Sequence, residues 1–182
     1  GPNAWPVELP GFREQMEAYY RALYALGKHV ARLIALSLDL DERCFDAAFE
    51  TPMTILRLLH YPVHPPDAQS NQLGAGAHTD WGLITLLAQD DCGGLEVQNA
   101  EGVWIRADPI RDTFVVNIGD MLERWTNGLY HSTPHRVLNN RSGRDRYSVP
   151  FFFEPNFHTR IECLPTCQTP ANPPRYAPCT AG

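Results

Sequence analysis

Apolar residues recur along the chain at two different spacings, and the first spacing is helical. From Gly11 to about Ser37 they fall every three or four residues, with charged residues between them. This spacing predicts one long amphipathic helix. Asp41 then has the character of an N-cap and predicts a short helix that reaches about Phe49 and ends before Pro52.

Beyond Pro52 the apolar residues occur in short runs that are typical of β-strands. Gly, Pro, Asn and Asp separate these runs, which read MTILRLLHY, AHTDWGLITLLAQ, GLEVQ, VWIRA, TFVVNIG, HRVLN and RYSVPFFFE. The turn sequences DCGG and NAEG on either side of LEVQ predict an antiparallel meander. Many short strands with few helices indicate a sandwich or barrel. The Pro-rich segment from Pro165 to Pro178 is predicted to run extended along the surface.

The composition favours a single globular domain that acts on small molecules. The 182 residues are 43% hydrophobic, which suffices for one core. The net charge is -6, and Lys28 is the only lysine, so the chain lacks the clustered positive charge of a nucleic-acid-binding protein. No apolar run approaches the roughly 20 residues of a membrane-spanning helix. We therefore expect a small-molecule substrate, and no nucleic-acid or membrane partner.

The ends of the chain and its cysteines carry two further expectations. The first residues, GPNAWPVELPGF, show no signal-peptide pattern and no initiator Met, and the last are PCTAG, so we interpret the chain as a fragment of a longer protein. Five cysteines are an odd number, which favours unpaired thiols, a reducing compartment and thus the cytoplasm. A zinc site on Cys163, Cys167, Cys179 and His158 is disfavoured because paired CxxC knuckles are lacking.

His78 and Asp80 stand two residues apart at the start of an apolar run, GAGAHTDWGLITLLAQDD. In an extended chain they project to the same face. A histidine near an aspartate is more often a hydrogen-bonded pair than a metal site. With a second histidine, however, they would form the two-His-one-carboxylate set that holds Fe(II) and leaves coordination positions open. His131 and His135 are the candidates for that second histidine.

Arg146 and Ser148 form another same-face pair, on a run that is otherwise apolar. A buried arginine is costly unless it meets a carboxylate, and a guanidinium beside a hydroxyl can grip a carboxylate through two hydrogen bonds. The alternative is a solvent-facing polar pair on an edge strand. Tyr61, in the run LLHYP, offers a further phenolic donor.

Four blocks of sequence occur in order between Arg57 and about Asn156: GAHTDWGLITLL, GGLEV, VVNIGDMLERWTNGLYHSTPHRV and RYSVPFFFEPN. Together they resemble the isopenicillin-N-synthase-like branch of the Fe(II)/2-oxoglutarate-dependent oxygenases. The resemblance implies a mainly β fold, a cupin-like double-stranded β-helix (jelly roll), with the long N-terminal helix packed outside. It also implies that residues 1–182 form one catalytic domain without the family's N-terminal segment and C-terminal end.

The resemblance further implies the site. Fe(II) would be held by His78, Asp80 and His135, while 2-oxoglutarate, a co-substrate with O2, would be held by Arg146, Ser148 and Tyr61. Ascorbate is a candidate additional cofactor. We also expect that some of the aromatic residues Trp81, Phe151, Phe152 and Phe153 line the substrate pocket, and we favour Trp81, Phe151 and Phe153.

The implied activity is hydroxylation, desaturation or cyclisation of a small organic molecule by a monomeric enzyme, with release of succinate and CO2. Three alternatives stay open. The first is an Fe(II) oxidase or cyclase of the same family that does not use 2-oxoglutarate. The others are a cupin-like metal hydrolase or binding module and a non-catalytic metal-binding relative.

Overall fold

The computed structural model describes residues 2–65, 67 and 72–182. The long helix is confirmed as α1, Phe12–Ser37. The short helix expected after Asp41 is only partly present: the Asp41 carboxylate accepts a hydrogen bond from the Arg43 amide, but helical structure is limited to a 3-10 turn, Asp46–Phe49. None of the described helices has the length and apolar character to cross a membrane.

Each of the apolar runs after Pro52 contains a strand. The strands are β1 (Ile55–Leu56), β2 (Leu59–Tyr61), β3 (Ala75–His78), β4 (Ile84–Gln89), β5 (Leu95–Gln98), β6 (Trp104–Arg106), β7 (Val115–Ile118), β8 (His135–Val137), β9 (Arg146–Phe153), β10 (Arg160–Ile161) and β11 (Cys179–Thr180). The predicted meander forms only in part. β5 and β6 are antiparallel, with Glu96 opposite Arg106, but the DCGG turn leads from β4 in one sheet to β5 in another, so β4 and β5 are not paired.

Two antiparallel sheets face each other and enclose a cavity. The larger has the order β1-β9-β4-β7, with β2 also paired to β9, and the smaller has the order β3-β8-β5-β6. Leu87, Leu95 and Val137 form a small apolar cluster between them. This arrangement confirms the mainly β jelly roll with a helix outside. β1 and β2 hold a single register against β9 and are interrupted opposite Pro150, which has no amide hydrogen to give to the ladder.

The main core lies between α1 and the outer face of the larger sheet. Phe151 and Phe153 of β9 are fully buried there, and the Phe153 ring stacks on Phe49 with centroids 4.2 Å apart. α1 approaches this face through Gly27, where an added Cβ would lie 2.7 Å from a Phe153 ring carbon. The absence of a side chain at Gly27 therefore sets the distance between helix and sheet.

Two elements differ from the sequence-based expectation. Helix α2, Asp120–Trp125, was not predicted, although acidic residues in its first turn are a helix-start signal. The Pro-rich segment lies on the surface but is held in place. The side-chain Nδ2 of Asn127 donates to the backbone carbonyls of Cys167 and Pro173, and its side-chain Oδ1 accepts from the Arg175 backbone amide. These bonds replace the regular ladder that prolines cannot form.

Filling the Gly27 contact should destabilise the fold. We expect Gly27→Leu to lower the free energy of unfolding by about 2–3 kcal/mol, because the buried Phe153 ring cannot move away. Ala25→Leu, on an exposed position of the same helix, should change it by less than about 0.5 kcal/mol. Urea denaturation followed by circular dichroism measures both, and equal effects would contradict the packing described.

Candidate active site

Two imidazoles meet because of strand register. β3 and β8 are antiparallel neighbours, and His78 lies directly opposite His135 in that ladder. Side chains of directly opposed residues project from the same face of a sheet. The two ring centroids are accordingly 4.4 Å apart.

Asp80 completes a group of three. It follows the end of β3, is 5% exposed, and its Oδ1 lies 3.6 Å from His135 Nε2 and 3.9 Å from His78 Nε2. One donor atom from each residue lies within 4.8 Å of the other two. These separations are too long for hydrogen bonds, but two metal–ligand bonds of about 2.1 Å can bridge up to about 4.2 Å. The second carboxylate oxygen, Oδ2, is buried and has no hydrogen-bond partner among the described residues.

Backbone carbonyls orient both imidazoles. His78 Nδ1 lies 2.7 Å from the Gly76 carbonyl, and His135 Nδ1 lies 3.2 Å from the Thr133 carbonyl. A carbonyl can only accept, so each Nδ1 carries the proton that it donates. In the neutral ring Nε2 is then left with its lone pair, which is the form that binds a metal.

The first turn of α2 holds the segment that carries Asp80. The Asp120 amide donates to the Asp80 carbonyl at 2.8 Å, and the Gly119 amide donates to the Leu83 carbonyl at 3.0 Å. The contact is so close that a Cβ on Gly119 would lie 2.0 Å from the Gly82 carbonyl oxygen. The unpredicted helix thus fixes the position of the carboxylate.

Arg146 places a buried cation in the same cavity. The residue is 2% exposed, its Nε donates to the Gly93 carbonyl at 2.5 Å, and its Nη2 lies 3.4 Å from Gln89 Oε1. The guanidinium carbon lies 4.8 Å from the centre of the Tyr61 ring. Nη1 is buried without a hydrogen-bond partner among the described residues. Sequence reasoning missed Gln89, although a polar residue at the end of the apolar β4 run was a usable signal.

The cavity between the sheets has a volume of about 450 Å³ and contains all six of the expected ligand residues in its lining. These are Tyr61, His78, Asp80, His135, Arg146 and Ser148. The other candidate, His131, lies outside: it is exposed, with Nδ1 3.9 Å from a Glu123 oxygen. The structure therefore brings together the set that the resemblance implied.

A family model described as the 2OG-Fe(II) oxygenase superfamily matches residues 52–155, more than half of the chain. The chain belongs to this family.

Curated relatives and solved structures agree with this family assignment. A 2-oxoglutarate-Fe(II) type oxidoreductase of Emericella nidulans is 45% identical, and the match covers 99% of this chain and 53% of that protein. A homoarginine-6-hydroxylase of Glycine max is also 45% identical, covering 94% and 54%. The chain thus spans about half the length of the curated relatives it matches. A full-length Neurospora crassa protein, crystallised in complex with alpha-KG, superposes with a TM-score of 0.93 at 38% identity, covering 100% of this chain and 59% of that one.

The three aromatic residues favoured for the pocket lining lie elsewhere in this family member. Phe151 and Phe153 are not on the cavity wall, because the alternation that turns Arg146 and Ser148 inward turns them outward, into the core against α1. The same alternation brings Phe152 to the cavity. Applying the period of two from Arg146 onward would have favoured Phe152 over Phe151 and Phe153.

Trp81 is also absent from the residues that line the cavity. Its indole Nε1 donates to the Ala181 carbonyl at 2.8 Å and so joins the Asp80 segment to the end of the described chain. Nearby, burial raises the pKa of Glu154, and the negative charge of Asp80 raises it further. Neither Trp81 nor Glu154 is among the residues that line the cavity.

Crowding at Gly119 should disturb Asp80. We expect Gly119→Ala to lower the free energy of unfolding by at least about 1–3 kcal/mol, because the clash is with backbone, and to weaken Fe(II) binding. Gly76→Ala is the matched control, since its added Cβ meets no atom within 4 Å and the substitution keeps the backbone carbonyl that His78 Nδ1 contacts. Urea denaturation and anaerobic Fe(II) titration measure the two effects. Unchanged values for Gly119→Ala would contradict the role given to α2.

Proposed function

We propose that the chain is the catalytic domain of a non-haem Fe(II)- and 2-oxoglutarate-dependent dioxygenase that oxidises a small organic molecule and releases succinate and CO2. One observation carries the proposal. The same cavity contains a buried carboxylate oxygen, Asp80 Oδ2, and a buried guanidinium nitrogen, Arg146 Nη1, that no described residue satisfies. Unpaired buried charges are expensive, so both atoms are suited to ligands.

The donor set fits Fe(II). Two imidazole Nε2 atoms and one carboxylate are the ligands that non-haem Fe(II) oxygenases use, and they leave positions open for other molecules. The His78 and His135 rings are held in the correct tautomer by backbone carbonyls, and Asp80 Oδ2 is available. These three residues would hold the iron.

The part of the cavity around Arg146 fits one end of a dicarboxylate. The Gly93 carbonyl and Gln89 position two of the guanidinium nitrogens, which leaves Nη1 for the distal carboxylate of 2-oxoglutarate. The Tyr61 ring supports the guanidinium from one face, and Ser148, 3% exposed and on the same face of β9, is placed to offer its hydroxyl. Arg146 is thus pre-organised before the co-substrate binds.

When bound, Fe(II) with 2-oxoglutarate and O2 supplies the oxidising chemistry. The residues of this chain would bind and orient the metal and the co-substrate. His78, Asp80 and His135 would hold the metal beside the smaller sheet, and Arg146 would hold the co-substrate against the larger one. Leu87, Leu95 and Val137 give part of the cavity an apolar lining.

We extend the proposal to a monomer in the cytoplasm, with no nucleic-acid or membrane partner. The acidic net charge and the odd number of cysteines support it. Ascorbate remains a candidate additional cofactor to be tested by addition to the assay.

Removing the carboxylate should abolish tight metal binding. We expect Asp80→Ala to weaken Fe(II) binding more than about 100-fold, since loss of a residue that only orients a ligand already costs roughly 10- to 100-fold. His131→Ala, an exposed histidine outside the cavity, is the control and should bind normally. Anaerobic Fe(II) titration measures both, and tight binding by Asp80→Ala would refute the assignment.

Removing the guanidinium should separate co-substrate binding from metal binding. We expect Arg146→Met to keep Fe(II) affinity but to weaken 2-oxoglutarate binding at least about thirtyfold, because truncating one partner of a buried charge pair costs about 2 kcal/mol or more. Arg144→Met, an exposed arginine two residues away that pairs with Asp91, is the control. Succinate formation gives the second readout. If the wild-type protein turns over a substrate without forming succinate, it is an oxidase or cyclase of the same family.

A further inference from the structure

A second arginine, Arg57, faces the same cavity. Leu56 pairs with Phe151 and Leu59 with Ser148, and the Arg57 amide donates to the Pro150 carbonyl at 3.0 Å. This register places Arg57 opposite Pro150, on the cavity face of the sheet. Arg57 is exposed and is among the residues that line the cavity.

Arg57 and Arg146 mark two separate points along that wall. Pro150 lies four residues beyond Arg146 on β9, which corresponds to about 13 Å along a strand. Under the proposed function, 2-oxoglutarate has one end at Arg146 and the other at the metal. Both of its carboxylates are then engaged, and Arg57 is left for another molecule.

The charge of Arg57 is unmatched. Its guanidinium makes no hydrogen bond or ion pair with any residue that the structure describes. Among the described residues of the cavity lining, Asp80 alone carries a carboxylate, and it lies with the metal-ligand candidates. A protein of net charge -6 thus presents an unpaired cation inside this cavity. Such a cation favours the entry and binding of an anion.

The wall beside Arg57 is apolar. Pro150 is buried, and Phe152, one further inward-facing position along β9, is half-buried and also lines the cavity. A flat apolar surface next to a cation suits a molecule with a hydrophobic ring and an acidic group.

We propose that Arg57 is a specificity-determining residue that binds the carboxylate of a small organic-acid substrate, whose apolar body lies on Pro150 and Phe152. This inference rests on the proposed function, because it assigns to Arg57 what 2-oxoglutarate leaves free. A planar guanidinium holds a carboxylate through two parallel hydrogen bonds. A ligand whose carboxylate is replaced by a neutral carboxamide cannot form the same pair of bonds.

The test compares acids with their amides. The probes are phenylacetate, 3-phenylpropionate and cyclohexanecarboxylate, each with its carboxamide, titrated calorimetrically into the intact protein with Fe(II) and 2-oxoglutarate without O2. We expect at least one acid to bind tenfold or more tightly than its amide, and Arg57→Gln to bring that ratio close to one. Equal affinities in the wild-type protein, no binding by any acid, or a ratio that survives Arg57→Gln would overturn the proposal.

Two controls separate this inference from the proposed function. Arg111→Gln removes an arginine whose side chain is 94% exposed, and it should leave the acid preference intact. The dissociation constant of 2-oxoglutarate should be unchanged by Arg57→Gln, and an equal weakening would place Arg57 in the co-substrate clamp and overturn the assignment. If the wild-type protein does not bind 2-oxoglutarate, the proposed function fails, whereas the acid-to-amide ratio and its loss in Arg57→Gln are still measured.

Discussion

Burial of unpaired charge is the constraint on which this structure depends. Asp80 and Arg146 are each at least 95% removed from solvent, and each keeps one polar atom without a partner among the described residues. A buried charge of this kind destabilises a fold by several kcal/mol unless a counter-charge reaches it. The protein holds the Arg146 side chain through Nε and Nη2 and holds the Asp80 segment through its backbone, which leaves Arg146 Nη1 and Asp80 Oδ2 for ligands. A cation suits Asp80, and a carboxylate suits Arg146.

The two sheets divide this work between them. The smaller sheet brings His78 opposite His135 through strand register, and helix α2 then holds the Asp80 segment through backbone hydrogen bonds. The larger sheet carries Arg146 on β9, where neighbouring backbone and the end of β4 fix its guanidinium. Hydrogen bonding between the strands fixes the backbone of each sheet. The metal-ligand candidates on one sheet and Arg146 on the other therefore keep their positions although they do not touch each other. The core against α1 supports the larger sheet from behind.

The period of two explains both the success and the failure of sequence reasoning at this site. It placed His78 with Asp80 and Arg146 with Ser148, and the structure brings all four to one cavity. Phe151 and Phe153 were expected on the cavity wall, but they have the opposite parity and fill the core. Other features depend on contacts that local pattern does not contain. The choice of His135 over His131 follows from the pairing of β3 with β8, which are far apart in sequence.

The most direct test of this account is a crystal structure of the protein grown without O2 in the presence of Fe(II) and 2-oxoglutarate. The account predicts one iron ion bound by His78, Asp80 and His135, with a co-substrate carboxylate within hydrogen-bond distance of Arg146 Nη1. An ion bound elsewhere, or an Arg146 Nη1 that still has no partner in a complex containing 2-oxoglutarate, would contradict it.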